Sequence, residues 1–171
     1  RTGIESAFLK GGTQLNLLHI GAPADLANKL PRRQSLRIKL ELDLRPPPFA
    51  TTEVRTQLLP SPYQVTLYDL ESLFAGKLHA VLCRGWKSRI KGRDFYDFVW
   101  YVSRNIRPNL AHLDARMRQT GHWNGEPINA RSLKELLLAR FADIDFKKAA
   151  DEVRIFISDP RELELWSPSF F

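Results

Sequence analysis

Between Leu36 and Arg45 the chain alternates strictly, with Leu36, Ile38, Leu40, Leu42 and Leu44 set against Arg37, Lys39, Glu41, Asp43 and Arg45. A period of two is that of a β-strand, and it places Lys39, Glu41 and Asp43 on one face at steps of about 7 Å. Two carboxylates and an ammonium on one rigid face could hold a divalent cation beside a phosphate. The same residues also suit a half-buried strand that keeps its charged face in water, and alternation alone does not choose between the two.

A second candidate is Lys77. Leu70, Leu73, Phe74, Leu78 and Val81 follow the i, i+3, i+4 rule and predict a helix over 70–83, with Asp69 at its N-cap and Glu71 in its first turn. Lys77 falls inside that apolar stripe, so its ammonium must either snorkel to water or meet an anion. Its neighbours Ala75, Gly76 and Ala80 are small enough to let another segment or a ligand come close.

The third candidate is Lys91-Gly92-Arg93-Asp94-Phe95-Tyr96-Asp97, which opens a second helix predicted from about Asp94 to Ser103 with a stripe of Phe95, Phe98, Val99 and Val102. Asp94 could be no more than that helix's cap. It also shares a face with Asp97 and Tyr101, where a phosphate could be met through the helix dipole, a bound metal or Arg93. Arg84, Lys87, Arg89, Lys91 and Arg93 crowd into ten positions between the two helices, which makes a surface attractive to phosphates or a solvated loop.

The elements that must position these residues read as follows. Residues 5–10 and 14–20 are apolar segments divided by Gly11-Gly12, a strand–turn–strand pattern, and 24–30 suits a short helix before Pro31. Pro46, Pro47 and Pro48 end the alternating strand. An edge strand within 49–62 and a short strand over 63–68 precede the first long helix. Further helices are expected near 109–119, 131–142 and 145–157, followed by a tail whose Trp166, Phe170 and Phe171 should pack back on the body. Strands first and helices after give an α+β fold in one domain spanning 1–171, strand-rich over 1–68 and helical over 69–171.

Composition sets the outer limits. The chain has 171 residues, 43% hydrophobic and 26% charged, which excludes a disordered protein. No apolar run approaches the roughly 18 residues of a membrane span, and the start at Arg1 does not read as an export signal. A single cysteine, Cys83, excludes an internal disulfide and a Cys-rich zinc site, so a reducing cytoplasm is the expected location. Cys83 is expected to be buried and inert, and His79 to serve packing. His19, His112 and His122 have no ligand-like spacing. Trp86, Trp100 and Trp123 could stack on bases or fill the core. The formal charge is +7, yet residues 121–171 carry 7 basic and 9 acidic side chains, so the excess lies before them, around the three candidates.

Taken together, Ile38-Lys39-Leu40-Glu41-Leu42-Asp43, the run from Asp69 through Lys77 to Ala80, and Lys91-Gly92-Arg93-Asp94-Phe95-Tyr96-Asp97 resemble the nucleotidyltransferase family of AbiEii/AbiGii-type toxins. The likeness covers roughly residues 5–107 and continues from Asp145-Phe146 to Phe170-Phe171. It implies a polymerase-β-like nucleotidyltransferase of a bacterial type IV toxin–antitoxin system, linked to abortive infection. Such a protein carries a partial mixed β-sheet over residues 5–68 and a helical C-terminal portion. It further implies an NTP substrate, Mg²⁺, an acceptor such as tRNA or another RNA, and a cognate antitoxin as partner.

By the same resemblance Lys77 reaches the nucleotide phosphates, Asp94 is the essential acid with Arg93 beside it, and Glu41 or Asp43 holds Mg²⁺ with Lys39 on the same face. Arg84, Lys91 and Arg93 would steer the triphosphate or an RNA. The family's first motif, a glycine turn followed by Asp-x-Asp, is imitated only at its start by Lys10-Gly11-Gly12-Thr13, with Asp25 alone after it. The motif is therefore expected upstream of Arg1, and a chain confined to these residues is expected to be inactive. Three readings stay open at this point: a nucleotidyltransferase toxin or its C-terminal part, a non-catalytic or degenerate relative that binds RNA or antitoxin, and a folded domain without a ligand.

Overall fold

The computed structural model describes residues 4–10, 37–59, 61–85 and 90–171. They divide into two compact units, Arg1–Pro46 and Pro47–Phe171. The first holds an antiparallel pair, β1 (Ile4–Lys10) and β2 (Arg37–Asp43), in which Lys39, Glu41 and Asp43 occupy the positions opposite Phe8, Ser6 and Ile4. The alternating segment is thus a strand over Arg37–Asp43, which stops three residues before Pro46 rather than running to Arg45. The described partner of β1 is β2; residues 14–20 and 24–30 lie outside the described residues.

The second unit opens with the antiparallel hairpin β3 (Thr52–Gln57) and β4 (Tyr63–Tyr68) and continues with α1 (Leu70–Cys83), α2 (Gly92–Ser103), α3 (Leu110–Gln119), α4 (Ala130–Ala142) and α5 (Phe146–Val153). Two short 3₁₀ turns, Arg154–Phe156 and Pro160–Leu165, follow. The class is α+β as expected, and every strand pair among the described residues is antiparallel. Strands give way to helices at 68/69, while the compact unit itself begins at Pro47.

Among the described residues, four of the five α-helices start at a side-chain cap. Asp69, Asn109 and Asp145 accept from the N–H groups of Ser72, His112 and Lys148, and Asn129 forms a reciprocal capping box with Ser132. The exception is α2, where Lys91 precedes the first turn without a capping bond.

The helices pack around Phe74, Leu78, Val81, Phe95, Phe98, Leu113, Phe141 and Phe146, with α1 against α2, α3 and α4, and α2 against α5. Burial runs along a slightly different arc from the predicted stripes. In α1 the buried positions are Ser72, Phe74, Ala75, Leu78 and Val81, whereas Leu73 is 41% exposed. In α2 they are Gly92, Asp94, Phe95, Phe98 and Tyr101, whereas Val102 is 49% exposed. The stacking of Tyr101 on Phe74, with centroids 4.7 Å apart and planes within 3°, accounts for the burial of Tyr101 on α2, and contacts of Ser72 with Thr51 and Asn109 account for its burial on α1. The C-terminal tail does return to the body: Phe171 stacks on Phe146 at 4.5 Å and meets Phe95, Phe98 and Phe141.

A polar hub ties the hairpin to the helices. Buried Ser72 accepts from the Thr51 N–H at 2.9 Å, and the Asn109 amide donates to the Phe49 carbonyl at 2.8 Å. His112, 1% exposed, meets the Pro48 carbonyl through Nδ1 at 2.8 Å.

Two carboxylates of this unit make the fold sensitive to acid. Asp114 is held below the usual carboxylate range by hydrogen bonds from Arg118 at 2.6 and 3.1 Å, which outweigh its partial burial, and the Ile128 N–H adds to them. Burial of Asp69 works against its ionisation but is outweighed by hydrogen bonds from Thr51 and Ser72, so it too is depressed. A depressed folded value means that stability is fully present above the unfolded value of about 4 and is lost as pH falls through the folded one. The melting temperature, followed by circular dichroism from pH 6 to pH 2, should hold down to about pH 4 and then fall. Asp114→Asn should flatten part of that fall, and an unchanged profile in the variant would remove Asp114 as a cause.

Candidate active site

The residues singled out in the second unit meet along the seam between α1 and α2. Lys77 and Arg84 are seven residues apart on and just after α1, hence about two turns apart on one side. Asp94 and Asp97 are three apart on α2 and share a face. Because the two helices form a hairpin, the later acid meets the earlier base. Lys77 Nζ donates to Asp97 Oδ2 at 2.5 Å, and the Arg84 guanidinium donates to Asp94 Oδ2.

The two pairs differ in setting. The Lys77 side chain is 43% exposed and that of Asp97 35%, so this pair is wet and exchangeable. The Asp94 side chain is 10% exposed and is met by Arg84 from one side. Asp94 does not cap α2, since the helix begins two residues earlier at Gly92. Arg84 is itself fixed, because Arg140 of α4 donates through Nη2 to the Arg84 carbonyl at 2.7 Å and through Nε to the Val81 carbonyl at 3.0 Å. Tyr101 lies beside the Lys77–Asp97 pair. Burial pushes its hydroxyl above the usual phenol range, with Lys77 opposing and Asp97 adding, so it is protonated at neutral pH.

The glycine of this motif is a packing requirement. A Cβ on Gly92 would stand 1.9 Å from the Ala149 carbonyl oxygen and 3.2 Å from the Val153 Cβ, so only a glycine lets α2 start against α5 at this distance. That contact sets where the Asp94 carboxylate sits.

Lys91 and Arg93 flank the seam and are exposed. Lys87 and Arg89 lie outside the described residues, as does Trp86. Trp100 and Trp123 are both partly packed, Trp100 under the Arg104 guanidinium at 4.0 Å and Trp123 donating to the Glu126 carbonyl at 2.8 Å. In the first unit Asp43 is exposed and one of its oxygens accepts from the Arg45 N–H at 3.0 Å.

Three of these connections were missed in the sequence: the Arg84–Asp94 pair, the anion that Lys77 meets, and the Arg140 clamp. A signal for the first two existed. Bases seven apart on one helix and acids three apart on the next can pair only if the helices run antiparallel along a common seam.

The sequence model of one family, Nucleotidyl transferase AbiEii toxin, Type IV TA system, matches residues 21–170, which takes in β2, both ion pairs of the seam and the tail as far as Phe170. The chain belongs to this AbiEii toxin family. No curated protein and no solved structure matches it. Membership of this family makes it a nucleotidyltransferase-type toxin of a type IV toxin–antitoxin system, a class that implies a counterpart antitoxin and an NTP. Among the described residues no helix is long and apolar enough to cross a membrane.

This chain carries Lys77-x-x-Ala80 on α1 and Arg93-Asp94-x-Tyr96-Asp97 on α2. A nucleotidyltransferase implies a divalent metal, and the donors differ in how well they suit one. Asp43 offers an exposed carboxylate with hard oxygen donors, as Mg²⁺ requires. Asp94 and Asp97 already carry cationic partners, so in this arrangement they serve the seam.

Proposed function

We propose that this AbiEii toxin transfers a nucleotide from an NTP to an RNA acceptor such as tRNA, with Lys77 as the phosphate-binding cation. The observation that carries the reading is the exchangeable Lys77–Asp97 pair: a lysine in a largely apolar stripe, held by one half-exposed carboxylate, can leave it for a phosphate oxygen. In the transfer the acceptor hydroxyl loses its proton to solvent and attacks the α-phosphorus, and the bond to the departing pyrophosphate breaks. Lys77 would neutralise charge on the phosphate oxygens as it develops. Exposed Lys91 and Arg93 would draw in the triphosphate or the RNA backbone. Asp94 and Arg84 would keep the start of α2 in place. Glu41 and Asp43 would hold Mg²⁺, which when bound supplies charge neutralisation on the phosphates.

The test is incubation of the protein, expressed from its native reading frame, with α-³²P-labelled NTPs, Mg²⁺ and tRNA. Labelled RNA and released pyrophosphate are expected, both lost in Lys77→Ala. Equal labelling by wild type and variant would overturn the role of Lys77. RNA binding that weakens steeply with salt but never yields labelled product would favour a non-catalytic RNA-binding module instead.

A further inference from the structure

His79, Cys83 and His122 converge although they come from different parts of the second unit. His79 and Cys83 are one turn apart on the same face of α1. His122 follows α3, directly after Gly121, whose φ of 74° turns the chain back toward α1. A ring nitrogen of each histidine and the Cys83 sulfur all lie within 4.8 Å of one another. One hydroxyl gathers the two rings: Thr120 Oγ1 is 2.9 Å from His79 Nε2 and 2.9 Å from His122 Nδ1, while it donates to the Arg116 carbonyl.

We propose that His79, Cys83 and His122 form a site for a borderline-soft transition metal ion of the zinc type, which clips the last turn of α1 to the turn after α3. Two imidazoles and a thiolate are the donor set such an ion selects, and three protein ligands leave a fourth position for water. Tetrahedral bonds of about 2.0 Å to nitrogen and 2.3 Å to sulfur bring ligand atoms to roughly 3.3–3.6 Å, so separations of up to 4.8 Å close by at most about 1.5 Å. His122 is exposed on its turn and can make that movement.

The electrostatics favour this class of ion over a hard one. Arg84, Arg116 and Arg140 act on the histidine and the cysteine, and their charge opposes a bare dication. A thiolate ligand cancels part of that charge, and Arg140 and Arg116 favour it. His79 is neutral at physiological pH, since burial, with Arg116, His122 and Arg84 adding, brings it down to about 4. Burial lifts the Cys83 thiol to about 11 against Arg140 and Arg116, so binding must release its proton to solvent as the sulfur–metal bond forms.

The test uses untagged, reduced protein. Co²⁺ titration should give a thiolate-to-cobalt charge-transfer band, removed by stoichiometric Zn²⁺ and left in place by a large excess of Mg²⁺. Zn²⁺ affinity, measured against a chromophoric chelator, should fall at least about tenfold in His122→Ala and in Cys83→Ser. Zn²⁺ should raise the melting temperature of wild type and not of His122→Ala. If Cys83→Ser fails to fold, His122→Ala still decides, because its side chain lies at the surface. Absence of the cobalt–thiolate band, displacement of cobalt by Mg²⁺, or equal zinc affinity in wild type and His122→Ala would overturn the site.

Discussion

Gly92→Ala is expected to lower the melting temperature by roughly 5–10 °C, the largest loss from an added methyl group among the described glycines. The new Cβ would lie 1.9 Å from the Ala149 carbonyl oxygen and 2.9 Å from the carbonyl carbon, and both are backbone atoms of α5 that cannot rotate away. Relief requires α2 and α5 to separate, which opens the contacts that Phe95 makes with Phe146 and Phe171. Overpacking of this kind costs about 1–3 kcal/mol, and a clash with main chain belongs at the upper end. Gly76→Ala is the control. A Cβ at Gly76 meets nothing within 4 Å and sits inside α1, so alanine there should stabilise by roughly 0.5–1 kcal/mol through helix propensity. Thermal melts of the two variants should move in opposite directions. A Gly92→Ala protein as stable as wild type would mean that α2 does not approach α5 this closely.

Lys77→Ala is expected to reduce nucleotide transfer about a hundredfold or more while shifting the melting temperature by no more than about 3 °C. The two effects separate because of where the ammonium sits. Its ion pair with Asp97 is about half in water, and exposed pairs contribute roughly 0–1 kcal/mol to stability. A cation aimed at charge that develops on a phosphate only in the transition state is worth several times more to the rate. Asp94 is a less clean probe. Asp94→Ala would strand the Arg84 guanidinium beside a buried gap, so loss of activity would come mixed with loss of folding. Initial rates of labelled-nucleotide incorporation, read with a melt of each variant, distinguish the cases. A Lys77→Ala protein that folds and retains full rate would remove Lys77 from phosphate binding and leave its pair with Asp97 as a structural contact.

Much of the second unit was legible residue by residue. The bounds of β4 and α1 coincide with the predicted 63–68 and 70–83, and Asp69 caps α1 as its position before the apolar run required. The predicted start of α2 at Asp94 was two residues late, because a glycine ordinarily argues against helix and here begins one. The reason lies on α5, more than fifty residues away, where the Ala149 carbonyl needs the space a side chain would fill. The stripes on α1 and α2 were placed one position off for a similar reason. Tyr101 and Ser72 read as polar, yet each is buried by a partner elsewhere in the chain, Phe74 for one and the 49–51 segment with Asn109 for the other.

The sequence by itself determined the α+β class, a charged strand within Leu36–Arg45, the five described helices of the second unit and the three segments that carry the AbiEii likeness. All of these follow from periodicity, capping and breaking residues, which act between near neighbours and therefore survive in the linear order. Only the tertiary structure decided which charges meet. Lys77 takes Asp97, Arg84 takes Asp94, and His122 joins His79 and Cys83, because two helices run antiparallel and a turn after α3 folds back on α1. Those partners are set by packing between elements distant in sequence, and spacing along one chain segment carries no record of it.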